Sequence, residues 1–135
     1  MARTKIAILG AGSWGTALAN HLALADHDVV IWGPESNVLQ SIREKHENAV
    51  YFPGISLNPT FQTESEIVQA VKDRHMVVFV VPSSAYRSVA HQIRDQISSD
   101  TIIVSSAKGL EGSSLKTMTG VLTDEFGVPA RIAAL

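Results

Sequence analysis

Short unbroken apolar runs alternate along this chain with longer stretches in which apolar residues recur every three or four positions. Ile6-Ala7-Ile8-Leu9 is the first such run, rich in β-branched residues and cut off by Gly10, and it predicts a strand buried on both faces. Ser13 to Ala25 carries helix-forming residues with Trp14, Leu18, Leu22 and Ala25 on one stripe, which predicts a helix with the Trp14 ring in the core. After the polar turn Asp26-His27-Asp28, Val29 to Trp32 is a second buried run, closed by Gly33-Pro34. A helix fits Asn37 to Glu47 through Val38, Leu39 and Ile42, and the stretch from Asn48 to Pro59 is then broken by prolines and a glycine. Val50, Tyr51, Phe52 and Ile55 remain apolar there, so the loop must pack against something.

Thr63-Glu64-Ser65-Glu66 has the form of a capping box and predicts a helix running to Lys72. Met76 to Val81 is apolar at every position, as a central parallel strand should be, and Pro82-Ser83-Ser84 ends it. A helix through Val89, Ile93 and Ile97 follows, with Ser83 or Ser84 as its cap, then a strand from Thr101 to Val104. Ser113 or Ser114 is expected to cap a further helix that Gly127 stops after Phe126. Arg131 to Leu135 reads as one more strand just beginning, which predicts that a longer protein continues from it. Strands alternating with helices of about ten residues predict an α/β fold, a doubly wound parallel sheet of Rossmann type, forming one domain over residues 1–135. Ligands of such sheets bind at the carboxyl ends of the strands. Gly10–Gly15, Trp32–Pro34, Pro82–Ser84 and Ser105–Gly109 all fall on that edge.

The first of these segments carries the strongest chemical signal. Gly10, Gly12 and Gly15 fit G-x-G-x-x-G between a strand and a helix, and each glycine has its own task. Gly10 makes the tight turn, Gly12 lets a pyrophosphate reach bare backbone, and Gly15 lets the helix pack closely on the strand. The phosphates then sit at a helix N-terminus, where unpaired N–H groups and the positive end of the macrodipole meet them, with Ser13 adding a hydroxyl and Trp14 a backbone N–H. Arg3 and Lys5 ahead of an apolar stretch, with Ala23-Leu24-Ala25 behind it, also have the outline of a secretory signal. Three glycines with Asn20 and His21 make a poor signal core, and the strand–helix alternation continues beyond it.

Composition narrows the field further. With 135 residues there is enough chain for one real core, and the net charge of −2 with scattered Lys and Arg argues against nucleic-acid binding. The absence of cysteine excludes disulfides and thiolate metal sites and suits a cytoplasmic protein, and the five histidines show no ligand spacing, so no metal site is predicted. The longest apolar run is too short for membrane insertion. A carboxylate usually follows the second strand of an NAD-binding unit, but Trp32 to Pro34 contains none and Glu35 comes one or two positions late. Cofactor choice between NADP and NAD stays open on this reading, leaning slightly to NADP. Lys108, before Gly109 at the edge of a central strand, is either a contact to substrate or cofactor oxygens or a solvated surface lysine. No pairing of nucleophile and base is visible.

The blocks Gly10-Ala11-Gly12-Ser13-Trp14-Gly15-Thr16-Ala17-Leu18-Ala19, Asn48-x-x-Tyr51-x-Pro53-Gly54, Val81-Pro82-Ser83 and Lys108-Gly109-Leu110-Glu111 together closely resemble bacterial NAD(P)-dependent glycerol-3-phosphate dehydrogenase. The resemblance covers nearly the whole chain. It implies a cytoplasmic oxidoreductase that interconverts dihydroxyacetone phosphate and sn-glycerol 3-phosphate with NADP or NAD, feeding phospholipid synthesis. It further implies that Ser13, Trp14, Pro34 and Pro82 lie on the cofactor, and that Lys108 reaches both cofactor and substrate. Pro34 stands where relatives often carry His or Arg, and Phe52 replaces a usual Leu. In the family a helical second domain, absent from these residues, supplies the catalytic lysine, so the chain alone is expected to bind cofactor without turnover. The resemblance leaves room for a homodimer of the complete protein. Two other readings compete: a stand-alone dinucleotide-sensing module, which usually keeps an acid after the second strand, and the cofactor domain of a ketopantoate or hydroxyacid reductase, against which the Asn48–Gly54 block speaks.

Overall fold

The computed structural model describes residues 3–128 and 130–135. Six strands form one parallel sheet: β1 Lys5–Leu9, β2 Asp28–Trp32, β3 Gln62–Glu64, β4 Met76–Phe79, β5 Ile102–Ser105 and β6 Arg131–Ala134, in the order β3-β2-β1-β4-β5-β6. The order reverses direction at β1, which pairs with β2 on one side and β4 on the other. Among the described residues five α-helices cover the two faces: α1 Ser13–Leu24, α2 Ser36–Lys45, α3 Ile67–Val71, α4 Tyr86–Ile93 and α5 Met118–Phe126. Alternate residues of each strand serve opposite cores. Ile6 and Ile8 of β1 join Ile31, Val38 and Leu39 under α1 and α2, whereas Ala7 and Leu9 join Phe79, Tyr86, Val89 and Leu122 under α3, α4 and α5. Burial on both faces explains why these strands read as continuous apolar runs.

Several elements differ from the sequence-based expectation, each for a physical reason. The α1 helix buries Gly15, Thr16, Ala19 and Ala23, while Trp14 is 52% exposed, Leu18 and Leu22 are only partly buried, and Ala25 lies exposed beyond its end. The helix lies too close to β1 for large side chains beneath it: a Cβ on Gly15 would overlap the Gly10 carbonyl oxygen. Small residues therefore face the sheet, and Trp14 is not a core aromatic.

Thr63 is not a helix cap. It lies in β3, a three-residue edge strand paired in parallel with β2, and α3 starts only at Ile67 with no side-chain cap at Glu66. Pairing with Ile31 takes Thr63 out of the geometry that a capping box requires. Neither Ser83 nor Ser84 caps α4, because Ser83–Ala85 forms a 3₁₀ turn leading directly into it. Likewise α5 is capped by Thr117, whose hydroxyl accepts from the Gly120 N–H, and not by Ser113 or Ser114. Gly127, at φ 89°, ends that helix as expected.

The loop after α2 packs only in part: Phe52 is partly buried against the core, but Val50, Tyr51 and Ile55 stay exposed at 51%, 41% and 43%, because Asn48 and Leu57 anchor the loop in their place. Leu57 and Phe61 enter the core under α1 and α2. Asn48 is fully buried, and its amide nitrogen donates both to the Ala11 carbonyl at 2.9 Å and to the Thr16 hydroxyl at 2.8 Å. Its Oδ1 accepts from the Tyr51 N–H at 3.0 Å. One buried amide thus ties the loop to the glycine turn with its polar atoms satisfied, which offsets the cost of burying them.

Candidate functional site

The strand ends place four segments around one cavity. Gly10 follows β1, and its N–H donates to the Trp32 carbonyl at the end of β2 at 2.8 Å. On the other side the Val80 N–H donates to the Leu9 carbonyl at 2.8 Å, drawing the chain after β4 alongside the glycine turn. Between these ends opens a cavity of about 530 Å³, within the range of small-molecule sites. Its walls come from the glycine turn, from Trp32 to Glu35, from Val80 to Pro82, and from Ser106 and Ala107, with Tyr51 closing one side. This is the crevice at the point where the strand order reverses.

The three glycines of the fingerprint differ in what surrounds them. Gly10 has φ +129°, and a Cβ there would lie 2.6 Å from the Val80 carbonyl oxygen, so fold and conformation both demand glycine. Gly15 is required by the close packing of α1 on the turn. Gly12 is different, because a Cβ there would meet no protein atom within 4 Å, and the residue itself lines the cavity. Gly12 is also the N-cap of α1, whose first turn receives no side-chain cap and carries no acidic residue. An uncapped helix start facing an open cavity suits the phosphates of a dinucleotide.

Of the other candidates, Trp14, Pro34 and Pro82 line the cavity, whereas Ser13 is exposed at the start of α1 and does not line it. Lys108 is exposed and also stands outside the wall, one residue beyond Ala107. Among the described residues no three His, Cys, Asp or Glu groups converge to hold a metal ion, and no helix is long and apolar enough to cross a membrane.

Two features escape any local reading of the sequence. Glu35 lines the cavity, and its carboxylate accepts a hydrogen bond from the Tyr51 hydroxyl at 2.6 Å. That bond, with desolvation and the carboxylate's charge adding to it, holds the Tyr51 phenol above its ordinary pKa. An acid therefore does stand in the wall after β2, although Trp32 to Pro34 has none. The second feature is a cluster around Arg87. Its guanidinium donates to both oxygens of Glu111 at 2.7 and 2.8 Å, and also to Asp124 at 3.0 Å and Glu125 at 3.3 Å. Hydrogen bonds from Arg87 first, then from Ser114, pull the Glu111 carboxyl down to about 2. Below its ordinary range a carboxylate loses this stabilisation only as pH falls towards that value, so the pair is intact at neutral pH.

Comparison with known proteins places this arrangement. A sequence model of the N-terminus of NAD-dependent glycerol-3-phosphate dehydrogenase matches residues 5–135. The glycerol-3-phosphate dehydrogenase [NAD(P)+] of Bacillus thuringiensis is 42% identical over 123 residues, which is 91% of this chain and 36% of that protein. The crystal structure of glycerol-3-phosphate dehydrogenase from Coxiella burnetii superposes with a TM-score of 0.86 at 32% identity, over 93% of this chain and 38% of that one. A Plasmodium falciparum glycerol-3-phosphate dehydrogenase gives 0.86 at 25% identity, over 98% of this chain and 40% of that one. The chain thus spans little more than a third of the length of these relatives. With the fingerprint at the end of β1, the sheet order and the match over residues 5–135, the chain belongs to the NAD-dependent glycerol-3-phosphate dehydrogenase family, whose N-terminal part it represents.

Proposed function

We propose that these residues hold NAD(H) or NADP(H) for an enzyme that interconverts dihydroxyacetone phosphate and sn-glycerol 3-phosphate. The observation that carries this reading is Gly12, a glycine that the fold leaves open and that faces the cavity from an uncapped helix N-terminus. In this reading the backbone of Gly12, Ser13 and Trp14 receives the pyrophosphate, with Gly10 and Gly15 shaping the turn. Pro34, Glu35 and Tyr51 line the adenosine side, Pro82 and Ala107 the opposite side, and Lys108 serves substrate as well as cofactor. The cofactor supplies hydride transfer when bound; the protein's task is to orient it and keep water away. Turnover belongs to the complete, longer enzyme, acting in the cytoplasm and supplying glycerol phosphate for phospholipids, with a homodimer as its proposed assembly. Calorimetric titration of NADH and NADPH into the 135-residue chain tests the reading. Saturable binding of one dinucleotide per chain is expected, and no binding of either would overturn it.

Cofactor preference follows from Glu35. Its carboxylate, steadied by Tyr51, suits the ribose hydroxyls of NADH and repels a 2′-phosphate, which reverses the lean drawn from Trp32 to Pro34 alone. Wild type is expected to bind NADH more tightly than NADPH. Glu35→Gln should narrow that gap by about five- to tenfold, the effect of removing one charge beside another in a partly solvated cavity. Titrations of both cofactors into both proteins measure it, and an unchanged ratio would count against Glu35.

A further inference from the structure

The connection from β5 to α5 runs from Ser106 to Thr117, long for a loop joining a strand to a helix in such a sheet. Apolar packing does little to hold it, since Leu110 is 56% and Leu115 71% exposed. Polar bonds hold it instead, and two of the ties start from adjacent residues in the first turn of α4. The Tyr86 hydroxyl is fully buried and accepts from the Ala107 N–H at 3.0 Å, while lying 3.1 Å from the Phe79 carbonyl and 3.0 Å from the Ser105 hydroxyl. Donating to Phe79 and accepting from Ala107 and Ser105 satisfies it completely. Four residues past Ala107, Arg87 grips Glu111 with two parallel bonds, and Asp124 and Glu125 of α5 hold the same guanidinium from the other side. Lys108, Gly109 at φ +121° and Leu110 are the three residues slung between these ties.

We infer that Tyr86 and Arg87 are positioning residues that together set Lys108 in its place beside the cofactor cavity. The inference rests on the role proposed above for Lys108. The same stretch of chain lines the cavity through Pro82, Ala85 and Val89, so one rigid element registers the Lys108 turn against the cofactor wall. A bidentate Arg–carboxylate fork fixes direction as well as distance, which a lysine at position 87 could not do. Glu111 is steadied in turn by the Ser114 hydroxyl at 2.6 Å, and its N–H donates to the Lys116 carbonyl at 2.8 Å, so the far end of the turn is itself braced.

The test uses the complete dehydrogenase that carries this chain, with Arg87→Met, Tyr86→Phe, Lys108→Ala and the double variant Arg87→Met/Lys108→Ala. Arg87→Lys, which keeps the charge and loses the fork, serves where Arg87→Met does not fold. Arg87→Met and Tyr86→Phe are expected to weaken NADH binding no more than Lys108→Ala does, since the glycine turn is untouched and only the Lys108 contact is disturbed. The same variants should lower kcat/KM for dihydroxyacetone phosphate by about 10- to 100-fold, the effect of misplacing a reacting group by an ångström. In the Lys108→Ala background, Arg87→Met should cost nothing further, because its effect passes through a lysine already removed. Losses that multiply in the double variant, or an Arg87→Met enzyme with wild-type kcat/KM, would overturn the inference while leaving Lys108 its role. Wild-type kcat/KM in Lys108→Ala would overturn both that role and the inference built on it.

Discussion

Gly12→Val is expected to fold normally and to lose dinucleotide binding by at least about 100-fold. The two halves of that result have separate causes. On the protein side, a Cβ at position 12 meets nothing within 4 Å, and the residue's backbone is extended at φ −76°, which valine adopts readily. The melting temperature should therefore stay within a few degrees of wild type, on the order of what a change of about 0.5 kcal/mol produces. On the ligand side, the isopropyl group fills the space where a phosphate must come within hydrogen-bonding reach of the α1 N-terminus. Displacing the pyrophosphate forfeits several charge-assisted bonds to backbone N–H groups, each worth about 1.5–3 kcal/mol. Calorimetry and a thermal melt on the same sample decide the matter. Wild-type affinity in a folded Gly12→Val chain would move the phosphates elsewhere.

Gly15→Val is expected to do the opposite and disrupt the fold itself. Its Cβ would run into the Gly10 carbonyl oxygen, with the Ile8 side chain 3.6 Å away, so neither the turn nor the helix can yield without the other. Overpacking of an ordinary core site costs about 1–3 kcal/mol, and backbone on backbone lies at or above the top of that range. Against a total stability of about 5–15 kcal/mol this should lower the melting temperature by about 10 °C or more, or leave the chain insoluble. Circular dichroism melts of Gly15→Ala and Gly15→Val test it together. Melting temperatures equal to wild type in both would contradict the close approach of α1 to the glycine turn. The pair of glycine variants thus separates a glycine the fold needs from one the ligand needs, although the motif writes both with the same letter.

Periodicity read in one dimension was enough for most of the architecture. Runs such as Ile6–Leu9 and Met76–Phe79 are apolar at every position because parallel strands are covered on both faces, and that pattern survives without knowledge of what covers them. The glycine spacing between β1 and α1 likewise implies the crevice, since the three positions run from the end of β1 into the first turn of α1. Strand β3 left no such trace: Gln-Thr-Glu is a short, partly exposed edge strand, and only its pairing with β2 defines it. The stripe of α1 was misread because periodicity reports which residues are apolar, whereas the distance between helix and sheet decides which of them fit underneath.

What the amino-acid sequence determined by itself was therefore local or periodic: the strand–helix alternation, the glycine turn between β1 and α1, and the absence of cysteine from these residues. Tertiary structure decided everything that joins distant residues. Glu35 meets Tyr51 sixteen residues on, Asn48 reaches back to Ala11 and Thr16, and Tyr86 and Arg87 bracket Lys108 from another element. A hydrogen bond is set by where two atoms finish in space, and between residues this far apart that depends on the packing of the whole sheet. No spacing rule along the chain encodes it.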